Sequence, residues 1–167
     1  MMLAAQTLTK LLQQWDCDNL ESLPEELVRD QIPVVLTQIL IRTLQAQGTD
    51  GSWAQGACEI TAYAILSLVS IATLPWVAML TAYTLPAIER GKQFLAENHS
   101  RWQEPCYTWV EKVTYSSTLI AKTYCLAAMK VSPPSCSWST KLQDLTHIPL
   151  NSVKKFVQFY SGVLLFS

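Results

Sequence analysis

The sequence has little charge and little glycine, and these shortages exclude several classes of protein. Only 15% of the 167 residues are charged, with 12 Lys and Arg against 13 Asp and Glu. This balance does not suit a surface that binds a polyanion, so we expect no nucleic-acid partner. Because 50% of the residues are hydrophobic, the composition is also unlike that of a disordered chain. The five glycines form no phosphate-binding loop.

The cysteines and histidines lack the spacing of a metal site. Five cysteines contain no C-x-x-C pair, and neither His99 nor His147 lies near a cysteine pair, so we predict no zinc site. The N-terminal segment MMLAAQTLTKLLQQW lacks the basic region and the cleavage site of a secretory signal. Together with the odd number of cysteines, this predicts a reduced, cytoplasmic protein.

Residues 60–88 contain no Asp, Glu, Lys, Arg or His. About 20 apolar residues can cross a bilayer, so a small membrane-associated protein is one alternative. Pro75 divides the stretch, however, and Glu59 and Glu89 border it in place of basic residues. A buried helix is therefore favoured over a membrane span.

Apolar residues recur at helical spacing along most of the chain, and few segments favour strands; VTY at 113–115 is too short to anchor a sheet. The predicted fold class is all-α. We predict helices at 3–15, a short one from Pro24, 34–47, 58–73, 76–97 with a bend or break at Pro86, and 116–130.

Two parts of the chain have the same order of features. Residues 36–66 and 88–125 each predict an amphipathic helix, a turn with tryptophan and an apolar helix, with Trp53 and Trp109 at corresponding places. Such a repeat is typical of helical hairpins that close into a ring. We therefore predict a partial α/α barrel at 1–130, followed at 131–167 by a Pro/Ser-rich linker and an apolar tail.

Several segments in order resemble one family. They are residues 23–53 (LPEELVRDQIPVVLTQILIRTLQAQGTDGSW), 58–68 (CEITAYAILSL), 87–95 (AIERGKQFL) and 109–130 (WVEKVTYSSTLIAKTYCLAAMK). This order, covering residues 1–130, is similar to that of the fungal bifunctional diterpene cyclases of the copalyl diphosphate and ent-kaurene synthase type. The turn with Gln47, Ser52 and Trp53 and the segment 90–95 each resemble part of the Gln/Trp repeat of class II terpene cyclases.

The resemblance implies the C-terminal part of a class II (β) domain, an α/α barrel. It also implies geranylgeranyl diphosphate as substrate: an Asp of a D-x-D-D motif protonates an alkene to give copalyl diphosphate. A separate domain with a D-D-x-x-D magnesium motif then ionises that product. Neither motif is present, so we expect a truncated or inactive piece of such an enzyme. Mg²⁺ is implied as a cofactor by the family resemblance, and the sequence contains no metal motif for it. A non-catalytic helical interaction module that self-associates through apolar faces is the other alternative.

The candidate catalytic residues are few. Asp16 and Asp18 in the string DCDN approximate D-x-D-D, although a solvated turn or helix cap explains them more simply. Glu59 begins the apolar helix, where a helix-end or buried hydrogen-bonding role is favoured over acid chemistry. The candidate substrate-binding residues are Trp53, Trp109, Lys112 and Tyr115. For the two tryptophans, clamping of helices is favoured over carbocation stabilisation.

Overall fold

The structure, a computed structural model, describes residues 1–20, 23–110, 113–132, 138, 139 and 142; at 108–110 and 113–115 it describes the backbone alone. Helices form the body of the protein, as the sequence predicts. The elements are α1 (Met2–Asp16), α2 (Ile32–Gln45), α3 (Cys58–Ala72), α4 (Thr81–Glu97), α5 (Thr118–Lys130), β1 (Thr108–Val110) and β2 (Val113–Tyr115).

The short helix predicted from Pro24 includes a π-helical turn, which is wider than an α-helical one. Residues Leu27–Gln31 form one turn of π-helix that continues directly into α2. Pro33 lies in the first turn of α2 and has no N–H, so one helical hydrogen bond is missing where the π-helical turn meets α2. The amphipathic stripe of α2 buries Leu36, Ile39 and Leu40.

Helix α3 lies at the centre of the fold and packs against α1, α2, α4 and α5. It is buried on nearly every side, because apolar residues occupy all of its faces. In the described part of the chain, no single helix is long and apolar enough to cross a membrane. Only α3 taken with Pro75–Glu97 meets that requirement, and the pair is bent by 117°.

The break in the fourth predicted helix is not at Pro86. A 3₁₀ helix at Pro75–Leu80 precedes α4, and Pro86 lies inside α4. Pro86 deprives one carbonyl of its helical hydrogen bond. That carbonyl belongs to Ala82, an exposed residue, so water can replace the lost bond and the helix continues.

A small hairpin is the addition that the sequence did not predict. Strands β1 and β2 pair antiparallel, with Thr108 opposite Tyr115 and Val110 opposite Val113. The turn predicted at Trp109 is therefore a strand. The strands are three residues each, too short for their composition to stand out from the sequence.

The described residues after α5 pack on the helical body. Leu142 is buried in the core, and Trp138 lies partly buried against it. The Trp138 indole N–H donates to the Thr73 carbonyl oxygen at the end of α3. Asp16, at the end of α1, accepts from the Ser139 backbone N–H at 2.8 Å and from its hydroxyl at 2.5 Å. Asp16 is therefore buried rather than solvated.

Candidate functional site

The Gln47 side chain ties the end of α2 to α4. Its amide nitrogen donates to the Gly51 carbonyl and to the Ala87 carbonyl, both at 2.9 Å. Its amide oxygen accepts from the Arg90 guanidinium at 2.5 Å. Both amide hydrogens and the carbonyl of Gln47 are thus used, so a hydrophobic residue of similar size could not replace it.

Trp53, at the end of the same turn, packs against the buried side of α2 and α4. Its side chain is 4% exposed, and its indole N–H donates to the Thr43 carbonyl at 2.7 Å. The ring packs beside Gly91 of α4, where a Cβ atom would come within 2.9 Å of the ring. Glycine at 91 is what lets Trp53 reach α4. Trp53 is therefore buried between α2 and α4.

Trp102, which the sequence did not single out, repeats this arrangement. It is 5% exposed, and its indole N–H donates to the Leu95 carbonyl at 2.9 Å. Thr43 and Leu95 are each the third residue from the end of their helices, α2 and α4. The structural counterpart of Trp53 is thus Trp102 and not Trp109. The available signal was the position of Trp102 shortly after the end of an amphipathic helix.

Glu59 is a buried carboxylate in the first turn of α3. It is 3% exposed and has no ion-pair partner among the described residues. One oxygen accepts from the Tyr63 hydroxyl, and the other accepts from the Cys106 backbone N–H at 2.7 Å. The Tyr63 ring in turn meets Tyr124 of α5 edge to face, with ring centroids 4.8 Å apart. Glu59 therefore connects the central helix to the segment before the hairpin.

Two thiols, those of Cys106 and Cys125, lie near this carboxylate, and the thiol of Cys58 lies near that of Cys106; the pKa of each is raised, which favours the neutral form. Burial raises the pKa of Cys125 to about 12. Burial, and secondly the Glu59 charge, raise the pKa of Cys106, and burial raises that of Cys58. The pKa of the Tyr63 hydroxyl is raised by burial and by its hydrogen bond to Glu59. These groups suit a neutral, packed cluster rather than a nucleophilic site.

The structure does not bring the candidate acids together. Asp16 and Asp18 lie at the end of α1, and Asp18 has a positive φ of 56°. The partners of Asp16 are the Ser139 groups, whereas those of Glu59 are Tyr63 and Cys106. Lys112 lies outside the described residues. The backbones of Trp109 and Tyr115 lie in β1 and β2.

Open clefts on the described part of the surface include one along α1 and one on α4. One, of about 440 Å³, lies along α1 and is lined by Gln6, Thr7, Lys10, Leu11, Gln14 and Leu20. The other, of about 560 Å³, lies on α4 and is lined by Pro86, Glu89, Arg90, Lys92, Gln93, Ala96 and Met129. None of the candidate acids lines either cleft.

The described residues do not fit a magnesium site. Within them, no three side chains among His, Cys, Asp and Glu lie close enough together to hold a metal ion. Mg²⁺ in proteins is bound chiefly through carboxylates and water, and the buried Glu59 carboxylate is already engaged by two hydrogen-bond donors.

Comparison with known proteins identifies fungal relatives. The chain is 42% identical over 166 residues to pimaradiene synthase pbcA of Emericella nidulans, covering 99% of this chain and 17% of that enzyme. It is 29% identical over 170 residues to the bifunctional premutilin synthase of Rhodocybe pseudopiperita, with the same two coverages of 99% and 17%. It is 33% identical over 131 residues to the copalyl diphosphate synthase of Talaromyces verruculosus, covering 77% of this chain and 14% of that enzyme.

The match with pimaradiene synthase is longer than the resemblance expected from the sequence, which ended at residue 130. No protein-family model matches the chain, and no solved structure matches it. The chain spans 17% of the length of the first of these relatives, and the similarity extends over nearly all of its own residues. The proteins to which the chain is similar are therefore fungal diterpene synthases, and the similarity covers a short stretch of each of them.

Proposed function

We propose that these residues serve in a diterpene cyclase that acts on geranylgeranyl diphosphate. In this proposal they contribute part of the α/α barrel of the class II domain, where protonation of the substrate alkene leads to copalyl diphosphate. The observation that carries the proposal is the 42% identity to pimaradiene synthase pbcA over 99% of this chain. Identity of that extent supports a shared fold and a shared place in a larger enzyme.

The packing of the helices supports the barrel. An apolar helix, α3, is covered by α1, α2, α4 and α5, which is the relation of an inner helix to outer ones in a ring of hairpins. The contacts of Trp53 with α2 and of Trp102 with α4 repeat at the ends of two amphipathic helices. This repetition is expected if successive hairpins are built to one plan.

We further propose that the 167 residues do not start cyclisation on their own. Protonating an alkene needs a strong acid held in a dry cavity. The carboxylates of Asp16 and Glu59 instead accept hydrogen bonds from neighbouring groups, so neither presents a free proton to a cavity. The same burial favours a role for both residues in holding helices together.

Incubation of the purified chain with geranylgeranyl diphosphate and Mg²⁺ tests this proposal. We expect no copalyl diphosphate above the level of a buffer control. Copalyl diphosphate formed by the wild-type chain above that level would reject the claim.

Exposed apolar side chains support a second candidate, a non-catalytic interaction module. Met79, Tyr83 and Leu85 are 39%, 65% and 41% exposed and lie within or beside the first turns of α4. Such a surface is typical of protein contacts. Gel filtration separates the two candidates, because a monomeric and well-folded chain would count against self-association through this face.

A further inference from the structure

The hydrogen bonds of Glu59 connect two parts of the chain that are distant in sequence. Glu59 is fixed by α3, whereas its partner Cys106 lies two residues before β1. The hairpin that follows carries Trp109 and Tyr115, two of the candidate substrate-binding residues. The residue just before this hairpin is therefore linked to the central helix by the Glu59 carboxylate, and its thiol is also hydrogen-bonded by the Ile60 backbone.

We propose that Glu59 is a positioning residue, which sets the place of the β1–β2 hairpin relative to α3 through the Cys106 backbone N–H. The role of the hairpin in binding a prenyl diphosphate rests on the proposed function above. The placement of the hairpin does not rest on the proposed function, because the hydrogen bond that supports it lies within this chain.

The surroundings of Glu59 explain why a carboxylate is suited to this task. A backbone N–H bonded to a charged acceptor gives a short, strong hydrogen bond, and the distance from Cys106 N to the carboxylate is 2.7 Å. The second oxygen is occupied by the Tyr63 hydroxyl, and Tyr63 is itself held edge to face by Tyr124 of α5. The carboxylate is thereby fixed from two sides and can fix the amide in turn.

Hydrogen exchange at the Cys106 amide tests the proposal in the free chain. Glu59→Ala removes the acceptor and should raise exchange at Cys106 about tenfold or more, with little change in the amides of α1 and α2. Glu59→Gln retains a carbonyl oxygen in place of the carboxylate, so it should restore most of the protection. Glu89→Ala, at an exposed position on α4, is the matched control and should change nothing at Cys106.

The thiol of Cys106 gives an independent measurement of the same carboxylate. Burial and the Glu59 charge both raise its pKa, and Cys58, Cys125 and Tyr63 face it from α3 and α5. In Glu59→Gln the charge is gone, so the pH midpoint for alkylation of Cys106 should move to lower pH. A general loosening of the fold would raise the rate of alkylation at all pH values without that change in midpoint.

Unchanged exchange at Cys106 in Glu59→Ala would overturn the proposal, as would an equal increase at α1 and α2. If Glu59→Ala does not fold, Tyr63→Phe decides, because it removes the hydroxyl that orients the carboxylate; wild-type exchange at Cys106 in that variant would overturn the proposal. The diphosphate role is tested separately by adding geranylgeranyl diphosphate to the folded variants. Absence of binding even by the wild-type chain would count against the proposed function. It would not change what the exchange at Cys106 shows about Glu59.

Discussion

At residue 51 the fold has no room for a side chain. Gly51 has a φ of +85°, and a Cβ atom there would lie 2.6 Å from the Arg90 carbonyl oxygen. Gly56 has a similar φ of +88°, but its nearest neighbour would be 3.8 Å away. The two glycines therefore separate the cost of backbone strain from the cost of a contact.

We predict that Gly56→Ala lowers the free energy of unfolding by about 1 kcal/mol, because only the backbone conformation is unfavourable. Gly51→Ala should lower it by about 3 kcal/mol, since α4 must also move away from the turn. Denaturant unfolding of both variants gives the comparison. Equal losses would show that the approach of Gly51 to Arg90 does not constrain the fold.

The buried thiols make the free energy of unfolding depend on pH in the alkaline range. The folded-state pKa of Cys125 is about 12, raised mainly by burial, whereas an unfolded thiol ionises from about pH 8.5. Above that pH the unfolded state loses a proton that the folded state keeps, so stability falls as pH rises. We predict a decline in unfolding free energy between about pH 9 and 12, and a shallower decline in Cys125→Ala. A wild-type curve that is flat over this range would contradict the prediction.

At the scale of elements, a few described residues after α5 pack on the helical body. Leu142, within the stretch that the sequence predicts to be a linker and tail, is 1% exposed and lies in the core cluster. We predict that Leu142→Ala lowers the free energy of unfolding by about 2–4 kcal/mol, because it leaves a cavity. Leu119→Ala, where the leucine is 73% exposed, is the control and should change stability by less than about 0.5 kcal/mol. A Leu142→Ala variant as stable as the wild type would show that the segment does not pack there.

The helices were predictable because their signals are local. The buried helix at 58–73 followed from a mostly apolar stretch that has no charged residue after Glu59, and Pro75 marked its end. The partner of Asp16 was not predictable, because Ser139 is distant in sequence and no local pattern connects the two. The same holds for the contact between Glu59 and Cys106. Local periodicity determines which segments are helical, and packing decides which polar groups meet.

The repeat shows the same division between local and distant information. From spacing alone, Trp109 was predicted to be the counterpart of Trp53. The hydrogen bonds show instead that Trp102 is the counterpart, because both indole N–H groups donate to a carbonyl near the end of a helix. The error arose because the hairpin at 108–115 is inserted after the second turn. Composition identified the kind of residue that closes each turn, and only the structure identified which tryptophan does so.

At the scale of the whole molecule, one helical body is similar to a short stretch of a much longer enzyme. A central apolar helix is covered by four others, and the similarity to pimaradiene synthase pbcA extends over 99% of the chain but only 17% of that enzyme. In the proposed function, these residues complete a barrel whose catalytic acid lies in another part of the enzyme. The sequence should then be exchangeable with the matching stretch of a relative.

The most direct test is therefore a chimera in which this chain replaces the matching stretch of pimaradiene synthase pbcA. We predict that the chimera forms pimaradiene from geranylgeranyl diphosphate, whereas pbcA with the stretch deleted forms none. The same chimera with Gly51→Ala should lose product in step with its loss of fold. A chimera that is as well folded as pbcA, by circular dichroism and gel filtration, and that forms no pimaradiene would contradict the account.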